Sequence, residues 1–173
     1  MTASPRARLL LGAAAALFLV PACGHRCVLP EDLHAQVDWS LPYEYLARNP
    51  DFYAGKLVCF GGEVLSGRRS ETETRLEILQ LPLDAGHEPT FARSLSQGRF
   101  LAYQKTFLDP ATLPRGTRVS VAGVVRGVET AALDDAQYAY PVLDIRHLVV
   151  WHTGVRRAPA PRFHIGIGGV FVR

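Results

Sequence analysis

TRVSVAGVVRG, residues 117–127, decides how this chain folds. Val119, Val121 and Val125 stand opposite Arg118, Ser120 and Arg126. A period of two is the mark of an extended strand with one face in a core and one in water, because successive side chains leave opposite sides of the backbone.

The same period recurs on both sides of that stretch. In TETRLEIL, residues 72–79, Thr72, Thr74, Leu76 and Ile78 alternate with Glu73, Arg75 and Glu77, and Glu71 continues the polar side; this predicts a half-buried antiparallel strand. KLVCFGGEVL, residues 56–65, reads as an earlier strand, with Gly61-Gly62 as the place for a bulge or sharp coil, and SGRRS after it reads as a turn. GRFLAYQKT, residues 98–106, gives a third strand with a less tidy pattern. YAYPVLDIRHLVVWH, residues 138–152, gives the last, with Pro141 near its start where a missing amide does least harm. LPLDAGHEPT and FLDPATLPRG are the connecting loops. One short helix precedes the strands: Ser40 is placed to cap it, Pro42 and Glu44 suit its first turn, Tyr45 and Leu46 supply apolar contact, and Asn49-Pro50 stops it.

Five strands and no long helix predict an all-β domain. The first expectation is a small five-stranded antiparallel OB-like barrel with a short N-terminal helix, because closure removes exposed sheet edges; an open sandwich is the second.

The N-terminus has a different character. Arg6 and Arg8 precede LLLGAAAALFLV, residues 9–20, and small residues lead to Cys23. Twelve apolar residues in a helix cover about 18 Å, too little for a hydrocarbon core about 30 Å thick, so the run reads as an export signal. Val20-Pro21-Ala22-Cys23 resembles the bacterial lipobox, whose cysteine becomes lipidated and forms the new N-terminus. A plain signal-peptidase site with Cys23 as an incidental thiol is the alternative. Gly24 rather than Asp follows the cysteine, which by resemblance to bacterial sorting rules directs the product to the outer membrane.

The domain boundaries follow: a lipoprotein signal peptide at 1–22, a lipidated tether at 23–39, a barrel at 40–152 and a basic, Gly-rich tail at 153–173. Removing residues 1–22 takes away two arginines and no acid, leaving 17 basic against 16 acidic residues, a net charge of +1. That balance and an exported location argue against a nucleic-acid partner. In an oxidising compartment Cys27 and Cys59 are candidates for a disulfide; otherwise Cys59 is a buried strand residue and Cys27 belongs to the tether. His25, Cys27 and His34 match no known metal-ligand spacing, so no metal or other cofactor is expected.

No catalytic constellation is legible, and a non-enzymatic role is expected. The six histidines are scattered, and His147 and His152 lie on opposite faces of one strand. Asp84, Asp109 and Asp144 are the carboxylates that could meet in space, but Asp84 and Asp109 stand near prolines, where turn bonding explains them. OB barrels often bind ligands on strands two and three. Here strand two offers Arg75 among Glu71, Glu73 and Glu77, whose three carboxylates repel phosphate, while Arg99, Phe100, Tyr103 and Lys105 of strand three form a candidate face for a glycan, a small anionic molecule or a protein partner. Covering a core is the competing duty of Phe100. The tail carries Arg156, Arg157, Arg162 and Arg173, no acid, and the apolar run FHIGIGGVFV, residues 163–172. It reads as a second membrane contact or a self-association edge, or else as a plain extension or an extra strand of the sheet.

NPDFYAGKLVCFGGEV, TRLEILQLPLD, GRFLA, FLDP, GTRVSVAGVVRG, YPVLDI and VVWH, in that order behind a lipobox, resemble the Slp family of outer-membrane lipoproteins over residues 40–152. Phe60 stands where that family more often has Trp. The resemblance implies an envelope protein linked to starvation or stationary-phase stress, with an OB-like barrel, and it supplies no active-site residues to carry over. The expected partners are the outer membrane, through the N-terminal lipid, and an envelope protein or glycan, with the domain in the periplasm.

Overall fold

A computed structural model of the protein describes residues 29–151. The signal segment, Cys23, Cys27, His25, His152 and the tail at 153–173 lie outside the described residues.

Five strands form, β1 (Leu57–Arg69), β2 (Thr74–Leu81), β3 (Arg99–Gln104), β4 (Arg118–Leu133) and β5 (Ala136–Trp151). Their order is β1-β2-β3-β5-β4, and β4 pairs with β1 to close the ring. Four pairings are antiparallel, but β3 and β5 run parallel over Leu101–Tyr103 and Val142–Asp144, so the sheet is mixed and not purely antiparallel as expected. The reason is arithmetic. A ring in which every neighbour reverses direction needs an even number of strands, and five strands force one parallel seam.

Inward residues of the strands, among them Val58, Val64, Leu76, Ile78, Phe100, Val119, Val121 and Leu143, make one core. The helix α2 (Tyr43–Arg48) closes one end of it with Tyr43 and Leu46. Ser40 does not cap α2, contrary to expectation. The cap position is Pro42, and the Ser40 hydroxyl instead donates to Asp38 at 2.6 Å. Tyr45 is more than half exposed, so Tyr43 supplies the contact assigned to it.

Gly61 and Gly62 sit in regular register rather than in a bulge, which falls between Val64 and Ser66. Their missing side chains admit β2. A Cβ on Gly61 would lie 2.9 Å from the Leu81 carbonyl oxygen, and one on Gly62 would collide with Ile78 and the Leu79 carbonyl. SGRRS is strand, not turn, as far as Arg69. The chain reverses at Ser70–Glu73, where the Ser70 amide donates to the Glu73 carbonyl at 2.9 Å.

β4 was expected to be wetted on one face, yet Arg118 and Ser120 are buried along with Val119 and Val121. The loop between β2 and β3 folds over that outer face. Ser120 donates to the His87 carbonyl at 2.6 Å, and the Arg118 guanidinium donates to the Pro89 carbonyl at 2.6 Å, pairs with Glu88 at 2.6 Å and stacks on the Phe91 ring at 3.6 Å. A strand polar enough to face water is thus covered by a loop whose carbonyls and carboxylate take up the Ser120 hydroxyl and the end of the Arg118 guanidinium.

The segment expected to be tether is partly docked. A single helical turn, α1 (Glu31–His34), follows Leu29, and Leu29 and Val37 are buried with Cys59 and Ala122 on the outside of β1 and β4. The Asp38 amide donates to the Leu57 carbonyl at 2.8 Å and its carboxylate pairs with Lys56 at 2.7 Å. Packing therefore begins by residue 29, ahead of the boundary at residue 40.

Candidate interaction site

The face proposed for a ligand is dismantled by the pleat and then covered. Phe100 points inward and is fully buried, with its ring 6.0 Å from Tyr43 and 6.4 Å from Phe60, so it is core and unavailable to a ligand. Arg99, Leu101 and Tyr103 share the opposite face by alternation. Lys105 is exposed just past the end of β3. These four side chains do not converge.

The outer face of β3 is taken by the hairpin of β4 and β5. β4 runs to Leu133 and β5 begins at Ala136, so the hairpin projects well past the barrel and curls back. Leu101, Tyr103, Tyr140 and Val142 form a buried cluster with Ala131 and Tyr138 against it. The Tyr103 hydroxyl donates to Glu129 at 2.7 Å, the Arg99 amide donates to the Tyr138 hydroxyl at 3.1 Å, and the Arg99 guanidinium donates to Glu77 at 2.8 Å. Arg126 lies 4.5 Å over the Tyr103 ring and bridges Asp144 and Glu73. Burial, then the hydrogen bond to Glu129, pushes the Tyr103 phenol up to about 12. The basic and aromatic side chains of β3 are already matched within the chain.

A second site was not legible. His34, Trp39 and His87 meet on the outside of β1 and β4: the Trp39 ring stacks on His87 with centroids 4.6 Å apart and lies 4.9 Å from His34, and the two imidazoles are 5.8 Å apart. The Trp39 indole donates to the His34 carbonyl at 3.1 Å while 41% of the residue stays exposed. Beside it opens a cleft of about 390 Å³ lined by Trp39, Tyr43, Cys59, Gln80, His87 and Gln97. Burial, and then His34, depresses the basicity of His87; Asp84 opposes this. Burial pushes the Cys59 thiol up to about 12. Residues 34, 39 and 87 carry no shared local pattern, so only a signal of tertiary pairing would have found them.

Asp84, Asp109 and Asp144 serve separate ends. Asp84 accepts from the Gly86 and Glu88 amides, Asp109 accepts from the Ala111 amide, and Asp144 holds Arg126. Among the described residues no three His, Cys, Asp or Glu side chains are grouped to hold a metal.

The chain matches the model of the outer membrane lipoprotein Slp family over residues 20–166. It is 31% identical to the outer membrane protein Slp of Escherichia coli over 137 residues, which cover 78% of this chain and 70% of that protein. It is 35% identical to the E. coli lipoprotein YeaY over 103 residues, covering 60% of this chain and about half, 52%, of that one. Among solved structures, a small single-stranded DNA-binding protein from Streptomyces coelicolor overlaps 56% of this chain and 94% of its own, at 15% identity and a TM-score of 0.38.

Proposed function

The chain belongs to the outer membrane lipoprotein Slp family, and from that membership we propose that it is a non-enzymatic envelope module, lipidated at Cys23 and held in the periplasm against the outer membrane. The supporting observation is the position of Leu29, buried six residues beyond Cys23. Six extended residues span at most about 21 Å, so a lipid on Cys23 would keep the barrel close to the bilayer instead of on a long leash. Several acyl chains at about 0.8 kcal/mol per buried methylene would make that attachment permanent. Mass spectrometry of the mature N-terminal peptide tests it. Acylated Cys23 is expected; an unmodified cysteine or a cut elsewhere overturns the reading. The link to starvation is carried by the family resemblance and is tested by following the protein level through nutrient exhaustion.

The ring order with its single parallel seam supports an OB-type barrel as the architecture of this module. The packing of Leu29 beside Cys59 also supports a Cys27–Cys59 disulfide, because two residues of chain reach no more than about 7 Å from Leu29. A linked pair of peptides under non-reducing digestion is the expected result, and two free thiols rule it out.

A second reading, a binding module for an envelope glycan or a small anionic ligand, draws on the half-exposed Trp39 beside the mixed polar and apolar cleft and no longer on β3. It requires saturable quenching of tryptophan fluorescence by cell-wall glycan fragments that is lost in Trp39→Ala. The first reading expects none.

A further inference from the structure

β3 pairs with β5 only at Val142–Asp144, whereas β4 follows β5 to Trp151. Among the described residues, the seven from Ile145 to Trp151 therefore have a strand on one edge alone, over about 23 Å at 3.3 Å per residue. The connection from β3 to β4 stands off from this edge. A cavity of about 160 Å³ separates Lys105 and Thr106 from Ile145 and Arg146, and one of about 410 Å³ separates Pro114 and Gly116 from Val150 and Trp151. Ile145, Leu148 and Val150 pack on the core yet stay only half-buried. An apolar strand with unpaired amides and carbonyls invites another strand.

The chain itself leaves the described domain at this edge. After Trp151 come eleven residues with Gly154, Pro159 and Pro161, then residues 163–172, in which Phe163, Ile165 and Ile167 alternate with His164, Gly166 and Gly168. This is the period of a strand with one apolar face. The eleven connecting residues reach at most about 37 Å, more than the length of the edge, so the segment can return along it. Three of the four tail arginines fall in the connection and the fourth is the last residue, which leaves the apolar run uncharged. The family match continues past Trp151 to residue 166.

We propose that residues 163–172 add to the free edge of β5 as a sixth strand, antiparallel to Ile145–Trp151, with the apolar face of the segment over Leu148 and Val150. The glycines of its other face leave room beneath the connection from β3 to β4. The inference is independent of lipidation at Cys23, since it concerns only how the C-terminal segment seats.

Hydrogen exchange read by mass spectrometry tests it on the mature full-length chain. Slow exchange is expected both in peptides covering 145–151 and in those covering 163–172, and Ile165→Pro should accelerate the former about tenfold or more. Should the proline variant fail to fold, the intact chain still decides, because unprotected amides throughout 163–172 overturn the proposal. So does binding of 163–172 to liposomes while 145–151 exchanges freely. A monomer that dimerises only when residues 153–173 are deleted supports it, by showing an edge the segment had covered. A dimer of the intact chain whose 145–151 protection survives Ile165→Pro overturns it in favour of a second copy.

Discussion

The Tyr103 hydroxyl donates a 2.7 Å hydrogen bond to Glu129, tying the middle of β3 to the projecting arm of the β4–β5 hairpin. That bond holds the arm down over the outer face of β3. Tyr103→Phe should cost about 1–2 kcal/mol in urea unfolding, with faster hydrogen exchange in the arm near Glu129. The phenol is raised to about 12, by burial first and then by Glu129. The stability tied to its neutral form is complete below the unfolded value near 10 and is lost as pH climbs through 12. A Tyr103→Phe variant with the same alkaline limb as the parent would sink this assignment.

Gly62 and Gly55 should both lose stability as alanine, for different reasons and by different amounts. At Gly62 a methyl meets the Leu79 carbonyl and Ile78, so β1 and β2 must part, and about 3 kcal/mol or more should be lost. Gly55 has open space and a φ of 87°, so the loss there is backbone strain alone, about 1 kcal/mol. Equal urea midpoints for the two variants would refute the close approach of β2 as the reason for Gly62.

Arg118 fastens the β2–β3 loop through one carbonyl, one carboxylate and one ring. Arg118→Ala should cost about 3 kcal/mol and open residues 82–93 to protease, because the Pro89 carbonyl loses a buried donor. Arg118→Lys should recover little, since an ammonium has neither the planar fork nor the stacking face. Full rescue by lysine would reduce the contact to simple charge pairing.

Hydrogen bonds from Lys56 and then Ser40 hold the Asp38 carboxyl down at about 2. Its help in docking residues 29–39 is present above the ordinary value of 3.8 and fades as pH falls through 2. His87, depressed by burial and His34, acts in the same direction, because protonation below its unfolded pKa is opposed by the folded packing. Carboxyl and imidazole titration by NMR should show both displacements, and Lys56→Ala should return Asp38 toward its ordinary value. An Asp38 midpoint unmoved by that substitution would remove Lys56 as the cause.

The alternation in residues 72–79 and 117–125 was enough to locate β2 and the first half of β4, since a half-buried strand writes its burial into every second residue. The hairpin arm leaves no such mark. Thr130, Ala132, Ala136 and Ala139 are small or polar and exposed, so beyond Gly127 the period fades while the strands continue, with Asp134 at a φ of 53° in the turn. Residue type alone points to Ser40 as the cap, but a cap is defined by backbone geometry, and here Asp38 draws its hydroxyl away.

The sequence alone determined the family and most of the strand content, both of which rest on local composition, period and ordered motifs. Only the tertiary structure decided that an odd ring must contain a parallel seam, that Phe100 belongs to the core, that Tyr103 is covered by the arm bearing Glu129, and that His34, Trp39 and His87 meet. These depend on contacts between residues up to about half the described chain apart. A sequence pattern reports which side of its own strand a residue occupies, and it carries no record of what later folds over that side.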